Sequence, residues 1–187
     1  FLFLMAGFSH NIFSVTEYLG EVSIEGRYFS NAGLFDQAKF HSSLLFSPEI
    51  YIESDNFKRS FTFKPKFRKD SEDSERNLID IQELHWTVIG DLFETKIGIR
   101  KDFWGVTETV HRVDIINQTD FAENIDGEDK LGQPMINLSF ERLNGTLDIY
   151  ALLGFRERTF GGKKGRLRAP ILVDTNNPIY ESNAEEK

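Results

Sequence analysis

The sequence predicts an all-β fold: an antiparallel up-and-down transmembrane β-barrel, incomplete, comprising about seven to eight strands of a larger barrel. Three observations point there. Polar and apolar residues alternate with period two through most of the 187 residues, the mark of strands whose two faces meet different surroundings. The connections between the alternating segments are short and long in strict turn. No stretch approaches the roughly 20 apolar residues that a spanning helix needs. The 18 Phe, 5 Tyr and 2 Trp also suit strands better than helices.

Taken in order, Phe1 to Phe8 (FLFLMAGF) reads as the h-region of a secretory signal without its charged n-region. Residues 1–16 are therefore expected to be a truncated signal peptide, with a first buried strand as the competing reading. Residues 17–187 are expected to form the N-terminal part of one outer-membrane β-barrel domain. Seven strands follow from the alternation, over 21–29, 40–53, 57–68, 78–89, 92–101, 135–143 and 146–155. The third is the clearest. There Phe61, Phe63, Pro65 and Phe67 face one way, and Ser60, Thr62, Lys64, Lys66 and Arg68 the other.

Two hairpins can be registered from their turns. Asn144-Gly145 suits a type I′ turn, which needs positive φ at both central positions. That turn sets Phe140 opposite Ile149 and Leu138 opposite Ala151 on one face, and Glu141 opposite Asp148 on the other. Gly90-Asp91 suits a type II′ turn and sets Val88 opposite Phe93 and Trp86 opposite Thr95, with His85 opposite Lys96 behind. Each hairpin then has one mainly apolar face and one polar face, as a specified register requires.

The connections run 30–39 (long), 54–56 (short), 69–77 (long), 90–91 (short), 102–134 (very long), 144–145 (short) and 156 onward (long). Tight turns at one end and long loops at the other are the organisation of a membrane barrel; a soluble sandwich has no reason to segregate them. Seven strands cannot close a bacterial barrel, which uses an even number and must satisfy every edge amide in lipid. The sequence ends in Glu185-Glu186-Lys187 rather than in a strand closing on an aromatic residue, so further strands are expected.

Little in the residues suggests an enzyme. The absence of Cys removes disulfides, thiolate metal sites and thiol nucleophiles. A net charge of −8 argues against nucleic acid, whose phosphates demand excess Lys and Arg. His10, His41, His85 and His111 lack metal-ligand spacing. Asp126-Gly127-Glu128-Asp129 lacks the carboxylate alternation of a calcium loop, and Gly161-Gly162-Lys163-Lys164-Gly165 fails the phosphate-loop spacing. No metal and no cofactor are expected.

Chemistry is expected instead in the longest connection, since loops of that length usually carry function. It is strongly acidic, with Glu108, Asp114, Asp120 and Glu123 among its carboxylates, whereas the next long connection is basic, with Arg156, Arg158, Arg166 and Arg168. The stretch from Gly98-Ile99-Arg100 through Trp104-Gly105, Glu108-Thr109, Asn117 and Asp120 resembles a pattern of porin-like outer-membrane barrels: G-R, then W-G-E-S/T, then N-x-x-N-P-x-D. Val106-Thr107 and Gln118-Thr119 depart from it. The resemblance implies a segment folded inward against the barrel wall.

The expected function is a porin-like channel of the bacterial outer membrane for passive diffusion of small polar or charged solutes. Trp104, Glu108, Asp114, Asn117, Asp120, Arg156, Arg158, Arg166 and Arg168 are the constriction candidates. Lys64, Lys66, Arg68, His85, Glu94, Lys96, Arg100, Glu141 and Asp148 are the lumen-facing candidates. Trp86, Phe63, Phe93 and Phe140 would face lipid. Expected partners are outer-membrane lipid, lipopolysaccharide, small solutes and a second copy of the chain. Two other readings compete: a plugged or surface-binding barrel without transport, and a soluble periplasmic lipocalin-like binder with its apolar face inward.

Overall fold

A computed structural model describes residues 15–103, 115–168 and 173. Nine strands form, in order β1 Val15–Tyr28, β2 Phe40–Glu53, β3 Arg59–Asp70, β4 Leu78–Ile89, β5 Phe93–Arg100, β6 Asp120–Phe121, β7 Gln133–Arg142, β8 Gly145–Leu152 and β9 Thr159–Phe160. Seven make one antiparallel sheet in the order β1-β2-β3-β4-β5-β7-β8, an up-and-down meander. The two-residue strands β6 and β9 form a separate parallel pair. A single 3-10 turn, Ser74–Arg76, is the one helical element among the described residues. The expected leader lies outside the described residues except for Val15 and Thr16, which begin β1.

The sheet is open: β1 and β8 are its edges among the described residues. Its connections keep the expected alternation. Loops 54–58, 90–92 and 143–144 lie at one end, and loops 29–39, 71–77 and 101–132 at the other.

The two faces are unlike. Thr16, Ile52, Phe61, Trp86, Ile97, Ile136 and Ala151 are successive partners across the sheet. A second row runs Val22, Phe46, Phe67, Ile79. Rings meet on this face, Phe46 with Phe67 at 6.1 Å and Phe61 with Trp86 at 6.3 Å. No described segment covers it. Ile24 and Ile79 are each 83% exposed and Val22 69%. Phe40, Phe46, Phe67, Trp86 and Phe93, all exposed, present several hundred Å² of apolar surface, as much as or more than the largest patch of a typical soluble monomer.

The opposite face is polar and covered over its long-loop half. His41, Ser43, Ser47, Thr62, Lys66, Thr87 and Asn137 are buried there, and so is Leu45. The covering layer is made of the 115–132 and 154–168 segments, and Ile116, Ala122, Leu131 and Met135 are buried. Five buried apolar side chains against fifteen buried polar ones invert the arrangement of a soluble domain.

Two prolines interrupt the central ladder. β2 and β3 keep one register on either side of a gap in which Pro48 faces Pro65, neither having an amide to donate. The Ser47 hydroxyl donates to the Pro65 carbonyl there at 3.0 Å. On the other side of β3 the register slips between Lys64 and Pro65, leaving Gln82 as a bulge residue in β4, a position where proline is tolerated.

Both expected hairpin registers are corrected by two residues. Leu138 lies opposite Ile149 and Phe140 opposite Leu147; Val88 lies opposite Thr95 and Trp86 opposite Ile97. The turns are centred on Leu143-Asn144 and Asp91-Leu92. The positive φ of +141° falls on Gly145, at the start of β8. A shift of two leaves every side chain on its own face, so alternation could not tell the registers apart.

The registers can be checked by cross-linking, which the absence of native Cys makes clean. Leu138→Cys with Ile149→Cys places two cysteines directly opposite, about 4.5–5.5 Å apart at Cα, within disulfide reach. Leu138→Cys with Ala151→Cys is a diagonal pair at roughly 7–8 Å. Oxidation is expected to close the first pair and leave the second as free thiols; the reverse would restore the register centred on Asn144-Gly145.

Candidate functional site

The longest connection folds back onto the polar face, and one side chain knots it. Asn117 is buried; its carbonyl oxygen accepts from the Asp102 amide at 2.8 Å, and its amide donates to the Arg100 and Leu131 carbonyls at 2.9 Å each. Both ends of the segment are thereby tied to one point. Between them a short ribbon forms. The Leu131 amide donates to Gln118 and the Asp120 amide to Asp129, both at 2.8 Å. Where the ribbon meets β4 the residue must be glycine, because a Cβ at Gly132 would lie 2.3 Å from the Gln82 carbonyl oxygen.

Charge then fastens the ribbon to the middle of the sheet. Lys66 Nζ lies 2.7 Å from the Glu123 carboxylate and 3.8 Å from that of Asp120, with only 5% of its side chain exposed. Glu123 also pairs with Arg68. Arg68 donates to the Ser43 hydroxyl at 2.9 Å and reaches Glu25 at 3.3 Å. Glu25 is shared further with Arg27 and Arg76. Charges buried this deeply are tolerated only when paired and hydrogen-bonded. Burial pushes Lys101 below the usual lysine range, and neighbouring Lys66 acts in the same direction. Burial, and then Glu123, pushes Asp129 above the usual carboxylate range.

A second strap, 154–168, closes over the long-loop end. Asp120 and Phe121 pair with Thr159 and Phe160 as parallel strands, their rings stacked at 5.8 Å, and Thr159 donates to the Asp120 carboxylate. The glycine-rich turn Gly161–Gly165 wraps the buried Asp73 carboxylate. The Gly162 amide donates to both its oxygens, at 3.1 and 3.0 Å, and a Cβ at Gly162 or Gly165 would lie within 2.5 Å of them. Gln37 donates to the Gly165 carbonyl at 2.8 Å, and Arg166 to that of Asn31 at 3.0 Å.

Of the constriction candidates, Trp104, Glu108 and Asp114 lie outside the described residues. Asn117 and Asp120 are brought together in the ribbon. Two of the four arginines reach the long acidic segment, at uncharged groups. Arg156 pairs with Asp80 on β4 and donates to the Gly132 carbonyl, and Arg158 bonds Gln118 at 2.8 Å. Arg166 and Arg168 lie over the rings of Phe29 and Phe35 at 4.3 and 4.9 Å. The acidic residues Asp120 and Glu123 meet the wall instead, through Lys66 and Arg68.

The other wall candidates lie on the polar face. Lys64 pairs with Glu49 at 3.0 Å, Lys96 with Glu94, and Arg100 with Asp102 at 3.0 Å. His85 Nδ1 is 3.7 Å from Glu83. Glu141 and Asp148 are exposed near the short turns. Sequence reasoning passed over Glu25, Asp73, Arg76 and Gln37, each placed by contacts far along the chain; the Gly161-Gly162-x-x-Gly165 spacing was the one local hint that an anion is held there. Compared with protein-family models, curated proteins and solved structures, the chain matches none.

Removing Glu123 is expected to release the ribbon. Glu123→Ala leaves Lys66 and Arg68 buried without their nearest carboxylate, at a cost of about 3 kcal/mol, or roughly a hundredfold. Hydrogen exchange reads it: the amides of Asp120 and Leu131 should exchange about a hundredfold faster while those of β2 to β4 hold. Unchanged protection would mean that Asn117, not the ion pairs, holds the segment.

Proposed function

We propose that these seven strands belong to a porin-like β-barrel of the bacterial outer membrane that passes small polar or charged solutes, with the 101–132 segment folded into its lumen. One observation carries the reading. The sheet is inside out: its apolar face is bare, and the long-loop half of its charged face is covered by the chain's own loops. Hydrocarbon is the surrounding that such a face requires, and a polar interior is what a membrane barrel encloses. In a bilayer both edges, β1 and β8, need further strands to satisfy their amides. The segregation of short turns and long loops and the resemblance to porin-like barrels support the same reading. A soluble lipocalin-like binder would need its apolar side chains inward, against the orientation of this sheet.

A barrel that is plugged, and serves as a scaffold or surface binder, is the second reading. The buried Lys66–Glu123–Arg68 cluster favours it, since a segment held this firmly obstructs as readily as it selects.

Two measurements test these readings. Val22→Arg sits mid-strand in the bare apolar row. In lipid vesicles it should cost about 2–4 kcal/mol of folding stability, whereas at a water-facing position it would change stability by no more than about 0.5 kcal/mol. A small effect there ends the membrane assignment. The channel is tested separately by ion current across a planar bilayer containing the protein. Stepwise conductance is expected; silence at every voltage would leave the plugged scaffold.

A further inference from the structure

Charge on the polar face is unevenly matched. Every lysine and arginine that the strands place there has a carboxylate beside it. Arg27, Lys66 and Arg68 are taken up by Glu25 and Glu123. Lys64, Lys96 and Arg100 are held by Glu49, Glu94 and Asp102.

The reverse does not hold. Glu17 and Glu21 on β1, Glu53 on β2, Glu141 on β7 and Asp148 on β8 share this face. None of them is ion-paired among the described residues, and all but Glu53 are exposed. Glu53 accepts only from the uncharged Tyr51 hydroxyl, at 3.0 Å. The ribbon adds Asp126, exposed and bonded to the Asn124 side-chain amide and the Glu128 backbone amide, both uncharged.

The placement of these carboxylates works against stability. Glu17 lies opposite Tyr51, two residues before Glu53. Glu141 lies opposite Thr146, two residues before Asp148. Such diagonal neighbours are roughly 7–8 Å apart, inside the Debye length of about 10 Å at 0.1 M salt. Each pair therefore repels itself, and no described cation relieves it. Mobile cations would. The two pairs flank the ribbon, one on β1–β2 and one on β7–β8, beside the ground that the loops leave open. Attraction there comes from a field along the face rather than from ligands gathered at one point.

We propose that the route past the ribbon selects small cations over anions, with Glu17–Glu53 and Glu141–Asp148 supplying the field. The proposal rests on the channel reading and names the class of solute that the channel passes.

The test is the reversal potential of the protein in a planar bilayer. The bilayer separates potassium chloride at about 10 mM from potassium chloride at about 100 mM, where Debye lengths are about 30 and 10 Å. Potassium should permeate at least about tenfold better than chloride. The preference should shrink near 1 M salt, where the Debye length is about 3 Å. Glu141→Gln combined with Asp148→Asn should lower the permeability ratio by about twofold or more, with single-channel steps showing that the variant still inserts. A reversal potential at zero or of the chloride sign overturns the proposal and leaves a channel. A cation preference untouched by the double variant overturns it too, because other groups then set the field. Absence of any current overturns the channel reading, and the selectivity with it.

Discussion

The sheet carries its greasy side chains on the face that no described segment covers, and the rest of the structure follows from that constraint. Burial of apolar surface is the dominant favourable contribution to folding. Here the described residues supply almost none of it on the Val22–Phe46–Phe67–Ile79 row or the Phe61–Trp86–Ile97 row. The alternation runs through all seven strands, broken by the bulge at Gln82 in β4, so the bare face is a property of the whole sheet rather than an isolated patch.

The polar face poses the complementary problem. Lys66, Arg68, Asp70 and Asp73 are removed from bulk water, and each would be costly if left alone. The two covering segments offset that cost by bringing partners. Glu123 and Asp120 come to Lys66, and the Gly162 amide comes to Asp73. The loops are thus specified by the charges beneath them more than by any apolar core, which amounts to five side chains among the described residues. Glycine is placed where backbone has to approach closely, at Gly132 over the β4 bulge and at Gly162 and Gly165 around Asp73.

Strand order, face assignment and the alternation of turn lengths were legible in the sequence because each depends on local periodicity. The hairpin registers were not. Asn144-Gly145 and Gly90-Asp91 are strong turn signals, yet a two-residue slip conserves both faces, and the choice rests on neighbouring strands that no local pattern encodes. Asn117 and Asp120 were legible as members of an inward-folded segment. Their partners were not, because the Asn117 knot and the Glu123–Lys66 pair join positions distant in the chain. The acidic and basic loops do meet, through the Asp120–Thr159 strand pair and the Arg156 and Arg158 contacts, but which groups would pair was hidden for the same reason. Net charge along a loop says what it can pair with, but not which strand lies beneath it.

The position of the ribbon has a consequence for any passage along this face. Its anchors, Lys66 and Arg68, sit on β3, the third strand of seven, and Asn117 ties it to the end of β5 and the start of β7. Additional strands beyond β1 or β8 would therefore widen the enclosed space without moving the ribbon. The covered ground is the long-loop half of β2 to β4 and the adjoining end of β7. Glu17 and Glu21 on β1, Glu141 on β7 and Thr146 and Asp148 on β8 remain exposed. If the polar face lines a lumen, a solute runs past these carboxylates and around the ribbon rather than through it. The ribbon then narrows one side of the route, and its buried ion pairs keep it from moving aside.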